Sequence, residues 1–330
     1  MERAHLAFAT SWTARWGALG KHAHATSNQV GSAAQYWCRW RDVASPAVAR
    51  RPSCRQRVSL GRLSRRCHVN PRRYAGAART VASIRPEDIT VEQVGVEGTL
   101  SYRVYLRAAA GDRLRRVSPW HELPLFPHAD EQTLLFVNEI PKGTRAKMEI
   151  AKEEPLNPIK QDTKKGELRF YEYGPSLINY GALPQTWEDP AIVHKDTGCS
   201  GDNDPLDVIE IGSQMMPTGA VYEVKPLGML GLIDDGELDW KLIAIRKQDP
   251  KASLVHNLSD MEEHFPNLLH EVREWFRLYK TAEGKGENTY AYHGKALDEK
   301  FALQIVRDAH ENWRKLKSGE RANDEHLALT

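Results

Sequence analysis

The sequence predicts an α+β domain in which strands lead and helices follow. Three observations carry that expectation. From residue 88 to residue 245, apolar side chains recur with the two-residue period of strands, divided by turn-forming segments. After residue 258 the period changes, and two apolar stripes appear at helical spacing. The composition also breaks near residue 80, which confines the folded body to residues 81–330. Strands first and helices after give a β-barrel or sheet with helices packed outside it.

The break at residue 80 is one of charge. Residues 1–80 hold fourteen Arg and one Lys against only Glu2 and Asp42, a net charge of +13. The whole chain carries +2, so residues 81–330 carry −11. A leader rich in Arg, Ala and Ser and nearly free of acid reads as an organelle transit peptide. Leu6, Phe8, Trp12, Trp16 and Leu19 give its start an amphipathic pattern, which favours import over a basic arm that binds nucleic acid. The leader's length puts a plastid ahead of a mitochondrion as its destination. No apolar run approaches the roughly eighteen residues of a membrane-spanning helix. An acidic body also lacks the basic face of a nucleic-acid binder. Cys38, Cys54 and Cys67 lie in the leader, so Cys199 stands alone in the body and no internal disulfide forms there.

Within the body, Leu100, Tyr102, Val104 and Leu106 alternate with polar residues and read as a strand. Thr133 to Val137 is a short apolar run. Arg145, Lys147 and Glu149 then alternate with Ala146, Met148 and Ile150, which sets Lys147 and Glu149 on one strand face. Residues 155–166 read as a loop, and so does the stretch with Pro175, Pro184 and Pro190. A strand opens at Asp207 and runs through Val208, Ile209 and Ile211. Leu227 to Ile233 is a buried strand ending in the turn Asp234-Asp235-Gly236-Glu237. The chain returns through Leu238 to Ile245, with Asp239, Lys241, Ile243 and Ile245 on one face. Ser259 and Glu262 match a capping box. Leu268, Leu269, Val272, Trp275, Phe276 and Tyr279 mark one helical stripe, and Ala302, Ile305, Val306, Ala309 and Trp313 a second.

The chemistry concentrates in Gly201-Asp202-Asn203-Asp204-Pro205-Leu206-Asp207. In an extended chain Asp202 and Asp204 point the same way, and Pro205 keeps Asp204 extended. Crowded carboxylates repel, and protonation or hard divalent cations relieve them. An acidic turn exposed to water is the plainer alternative. The spacing is not an EF-hand, because the fifth position is Leu206 and the sixth is Asp207. Oxygen-only donors suit Mg²⁺ or Mn²⁺ rather than zinc. No P-loop occurs, and His121-Glu122 lacks the second His of a zincin.

Three strand edges carry acid: Lys147/Glu149, the Asp202-Asp204-Asp207 group, and Asp234/Asp239/Lys241. Each alone has a structural explanation as a cross-strand pair or a turn. Folded onto one surface, they form a site that cations must stabilise. Lysines in such a site make sense if the ligand is itself highly anionic, with metals bridging some of its oxygens and Lys and Arg taking the rest. Pyrophosphate or a nucleotide fits.

At this point the residues resemble a known family. The Asp cluster is similar to the signature of soluble family I inorganic pyrophosphatases. Agreement extends through Glu139-Ile140-Pro141, Ala146-Lys147-Met148-Glu149, Gly166-Glu167-Leu168-Arg169-Phe170 and Asn179-Tyr180-Gly181. It continues in Pro184-Gln185-Thr186-Trp187-Glu188-Asp189-Pro190, residues 234–241, and Trp275-Phe276-Arg277-Leu278-Tyr279-Lys280. The resemblance spans residues 88–318 and is nearest to the eukaryotic, plastid-like type. It implies a five-stranded OB-like barrel with flanking strands and C-terminal helices outside. It also implies Mg²⁺-dependent hydrolysis of pyrophosphate, with several ions per site and Mn²⁺ as a substitute.

By motif position, Asp202, Asp207, Asp239, Asp234 and Glu149 match metal ligands. Asp204 matches the residue that orients and deprotonates the attacking water. Lys147, Arg169, Tyr180, Lys241, Tyr279 and Lys280 match phosphate binders, and Glu139 a supporting carboxylate. A monomer or homodimer with no membrane or nucleic-acid partner is expected. Family members often carry an aromatic shortly before Asn-Tyr-Gly, where this chain reads Gly174-Pro175-Ser176-Leu177-Ile178, so one phosphate contact is missing or comes from elsewhere. The competing functions are a Mg²⁺-dependent phosphomonoesterase or nucleotide hydrolase, and a catalytically silent scaffold of the same fold.

Overall fold

The computed structural model describes residues 84–110 and 113–330. The basic leader and its boundary at residue 80 lie outside the described residues.

The strands, in chain order, are β1 (Thr90–Val94), β2 (Arg103–Ala110), β3 (Arg113–Val117), β4 (Leu134–Ile140), β5 (Met148–Ile150), β6 (Ile159–Gln161), β7 (Thr163–Lys164), β8 (Glu167–Leu168), β9 (Asn179–Ala182), β10 (Asp207–Glu210), β11 (Val221–Asp234), β12 (Glu237–Arg246), β13 (Thr289–Tyr290) and β14 (Leu297–Asp298). The helices are α1 (Leu258–His264), α2 (Leu268–Leu278) and α3 (Glu299–Ser318). The α+β order is as expected. One sheet runs β1-β2-β6-β5, with β3 paired to β2, and β7-β8 forms a small hairpin. The larger sheet runs β12-β10-β9-β4-β11, and β11 pairs β12 as well, so the hydrogen-bonded order returns on itself. β10 and β12 are parallel, while the other pairs are antiparallel.

The two-residue period divides the core. On β12, Ile243 and Ile245 join one apolar cluster, while Trp240, Leu242 and Ala244 join another. β4 divides in the same way, with Leu135 and Val137 against Leu134 and Phe136. Both faces are covered, so these strands read as nearly continuous apolar runs. The first cluster takes Val272, Trp275, Phe276 and Tyr279 from α2 and its C-cap, and the second takes Ala302, Val306 and Ala309 from α3. Burying Val272 and Phe276 on α2 and Val306 on α3 contributes about 1.5–3 kcal/mol each, which anchors both helical stripes.

Several local expectations need correction. Leu100 is exposed in a turn, and the alternation begins to bury side chains only at Tyr102. Residues 155–166 are not all loop, because β6 and β7 form there. The proline-rich stretch likewise contains β9, whose Asn179 fills all its hydrogen-bonding positions in the core. The capping box fails: Asn257 caps α1, accepting from Ser259 N and Asp260 N. Glu262 instead accepts the backbone N–H of Asn267. Pro226 has no N–H to donate, and the β11–β12 register shifts there.

Candidate active site

The five-strand order brings the acidic edges together. Asp207 opens β10 opposite Lys241 on one side and Ala182 on the other, and Ile209 lies opposite Tyr180. Asp239 lies two residues before Lys241 on β12 and therefore on the same face. The Asp202 loop is shaped locally. Asn203 adopts φ 69°, a left-handed conformation that Asn tolerates, and its side chain accepts the indole N–H of Trp187 at 3.0 Å. Asp202 accepts the N–H of Asp204 at 3.0 Å in an Asx turn. The backbones of Glu188, Asn203 and Asp204 bond across the loop mouth.

Thirteen residues were expected here from the sequence, and all thirteen line one cavity of about 210 Å³. A water needs only about 10–15 Å³ of such space, so the cavity has room for a small anion and its ions. Lys241 donates to both Asp239 oxygens at 2.6 and 2.7 Å, to Asp207 at 2.9 Å and to Tyr180 Oη at 2.7 Å. Tyr180 also hydrogen-bonds Asp207. Lys147 donates to Glu149 and Asp162, each at 2.9 Å, so the predicted shared face of Lys147 and Glu149 is present. Arg169 reaches Asp162 at 2.9 Å and Glu283 at 3.4 Å. Tyr279 donates to Asp234 at 3.0 Å, and Lys280 pairs with Asp234 and Asp235. Glu139 accepts the N–H of Ile150 at 2.7 Å, which ties β4 to β5.

Several residues belong to the site without having been singled out by sequence reasoning. Asp162 and Glu283 hold the cations, Lys152 pairs with Asp204, and Tyr171 lines the cavity. Glu188 places a carboxylate oxygen within 4.8 Å of Asp202 and Asp239. Its position inside the Pro184–Pro190 motif was the available signal. Ser176, where an aromatic was expected, is buried, donates to Ile178 O at 2.7 Å and does not line the cavity.

The electrostatics follow from burial and crowding. The lining carries more than twice as many carboxyl groups as cations. Burial pushes Asp239 up to about 7 despite Lys241. Burial, then Asp204 and Asp239, raise Asp202 well above the usual carboxylate range. Burial, then Asp202, do the same to Glu188. Glu139 and Glu149 are also raised, chiefly by burial. Burial opposes charge on Lys147 and Lys241, but their carboxylate partners outweigh it and both stay cationic. Among the described residues, Glu188 Oε2 is buried without a hydrogen-bond partner. An excess of buried oxygen donors, one of them unpaired, fits a hard divalent cation such as Mg²⁺.

Carboxylates for cations interleaved with Lys, Arg and Tyr donors define a metal-dependent phosphoryl-transfer hydrolase. Comparison with known proteins identifies which one. Residues 136–314 match the family model for inorganic pyrophosphatase. The chain is 48% identical over 287 residues to the soluble inorganic pyrophosphatase 1, chloroplastic, of Chlamydomonas reinhardtii, covering 86% of this chain and 99% of that protein. It is 48% identical over 247 residues to the Kluyveromyces lactis inorganic pyrophosphatase, covering 73% and 84%. Among solved structures, the recombinant inorganic pyrophosphatase of T brucei brucei superposes with a TM-score of 0.68 at 39% identity, covering 70% and 71%. The chain belongs to the inorganic pyrophosphatase family.

Proposed function

We propose that this chain hydrolyses inorganic pyrophosphate to two phosphates in a Mg²⁺-dependent reaction at the cavity described above. The observation that carries the reading is the interleaving of four cationic side chains with a carboxylate cluster in one small cavity. Asp202, Asp207, Asp239, Asp234 and Glu149 would hold the cations. Bound Mg²⁺ lowers the pKa of water and neutralises phosphoryl oxygens. Asp204 lies nearly half-exposed at the mouth, suited to orient the attacking water and take its proton. The water oxygen bonds to one phosphorus, the P–O bond to the bridging oxygen breaks, and that oxygen leaves with the electron pair on the second phosphate. Lys147, Arg169, Lys241 and Lys280 bind the anion and offset the charge on the leaving phosphate. Tyr180 and Tyr279 add neutral donors, which their upward-shifted pKa values keep protonated. Glu139 supports the strand that carries Lys147 and Glu149.

Phosphate release from pyrophosphate and from a nucleoside triphosphate, with Mg²⁺ or excess chelator, tests the reading. Pyrophosphate turnover that vanishes in chelator is expected, and undiminished turnover there overturns it. Asp204→Asn should fold and lose about 10²–10⁴ in rate, the usual loss for a general base. A wild-type rate would remove Asp204 from that role.

The finer structural reading is an OB-like barrel. It is supported by the pairing of β11 with both β4 and β12. The +13 leader supports import and removal of residues 1–80. The chloroplastic relative supports a plastid destination over a mitochondrial one. Mass analysis of the protein from its own cells tests removal, and a retained Met1 would exclude it. Among the described residues no helix is long and apolar enough to cross a membrane. The same measurement under native conditions distinguishes a monomer from a homodimer.

A further inference from the structure

We propose that Lys152 is a positioning residue for Asp204 and that the C-terminal residues 323–330 hold it in place as a strap. The inference rests on the reading of Asp204 as the proton acceptor. Lys152 does not line the cavity, yet its ammonium pairs with Asp204 and donates to Asn203 O at 2.8 Å. The two bonds bracket the residue whose carboxylate must face the water. Asp204 needs such a brace, because its side chain is 48% exposed while that of Lys152 is 16% exposed. A half-exposed carboxylate on a loop samples several rotamers unless a fixed partner selects one.

Lys152 is fixed from behind by the strap. Its backbone carbonyl accepts the N–H of Ala328 at 2.7 Å, and Leu156 N–H donates to Thr330 O at 2.7 Å. The carbonyl of Ala328 accepts Asn157 Nδ2 at 3.0 Å and His121 Nε2 at 3.0 Å. The His121 tautomer is set, because its Nδ1 accepts the indole N–H of Trp313 at 2.8 Å, leaving Nε2 as the donor. Leu327 is buried in the core. The chain terminus, α3 through Trp313, and the 151–157 loop therefore converge on one lysine that lies outside the cavity lining.

The test is a set of full-chain variants measured at saturating Mg²⁺. Lys152→Ala should lower kcat on the order of 10–100-fold while KM for pyrophosphate stays within about twofold. Lys152→Arg keeps the charge and a donor and should recover most of the loss. Ala328→Pro deletes one N–H and should lower kcat about 3–10-fold, without adding to Lys152→Ala. In an Asp204→Asn background, Lys152→Ala should cost no more than about twofold, which a general loss of packing would not reproduce. Wild-type kcat in Lys152→Ala overturns the proposal. So does a rise in KM alone, or a full additional loss in the Asp204→Asn background. If Lys152→Ala fails to fold, Lys152→Met keeps the apolar stem and is read by the same criteria. An Asp204→Asn enzyme at the wild-type rate would instead defeat the underlying reading of Asp204, whatever Lys152 does.

Discussion

Arg169 and Ser176 lie seven residues apart and do different work. Arg169 faces the cavity and is held by Asp162 and Glu283, whereas the Ser176 hydroxyl turns onto its own loop. Truncating a desolvated charge that meets substrate costs about 2–5 kcal/mol, so Arg169→Ala should reduce kcat/KM by about 30-fold to several thousand-fold. Ser176→Ala removes one neutral hydrogen bond worth about 0.5–1.5 kcal/mol of stability and should leave kcat/KM within about threefold. Steady-state kinetics on the two variants check this, and a Ser176→Ala loss equal to that of Arg169→Ala would give Ser176 an unforeseen catalytic role. At this scale the sequence was informative where chemistry is encoded in one short segment, as in residues 202–207 and 234–241. Glu283 and Lys152 were invisible because their roles arise only from contacts between distant segments. Asp162, although only seven residues from Arg169 and fifteen from Lys147, lies in a stretch that reads as loop and carries no periodic signal. A lone Asp or Glu in a loop has no sequence signal for the Arg it meets more than a hundred residues away.

The element that most constrains the site is β9. It carries Tyr180, sits between β4 and β10, and crosses β4 at Gly181. A Cβ there would lie 2.1 Å from Val137 O and 2.8 Å from Glu139 N, and backbone atoms cannot rotate aside. Gly181→Ala should destabilise by about 1–3 kcal/mol, lowering Tm by roughly 2–12 °C, and should reduce activity by shifting Tyr180 and Glu139 together. Gly174→Ala is the control, since nothing lies within 4 Å of its added methyl. Thermal unfolding of both variants decides the point, and equal Tm values would mean that β9 and β4 can separate at no cost. The long strands β4, β11 and β12 were legible because they bury both faces in apolar runs. β6, β7 and β9 were not. They are two to four residues long, rich in polar residues or Gly, and exist only because a neighbouring strand pairs with them.

Charge acts on the whole molecule, and its sign sets the last prediction. Burial raises Asp202, Glu188, Glu139 and Glu149, and brings Asp239 to about 7. An unfolded Asp titrates near 3.9, so these groups bind protons more tightly when folded. Stability that rests on a raised carboxyl pKa is present at low pH and is lost as pH climbs through the folded value. For Asp239 that window runs from about 4 to about 7. Each tenfold difference in proton affinity between the folded and unfolded chain is worth about 1.4 kcal/mol, so the metal-free protein should lose on the order of a few kcal/mol across that window. The salt-bridged Asp162 and Glu154 act in the opposite sense. Burial raises their pKa, but Lys and Arg partners outweigh it, so their contribution fades as pH falls. Mg²⁺ isolates the first effect. It must displace protons from the cavity carboxyls at low pH and finds them ionised at high pH. The rise in Tm on adding Mg²⁺ to chelator-treated protein should thus grow from pH 5 to pH 8. Thermal melts with and without Mg²⁺ across that range provide the check. A rise in Tm that is constant or shrinks with pH would mean that the raised carboxyls of this cavity are not where the cation binds.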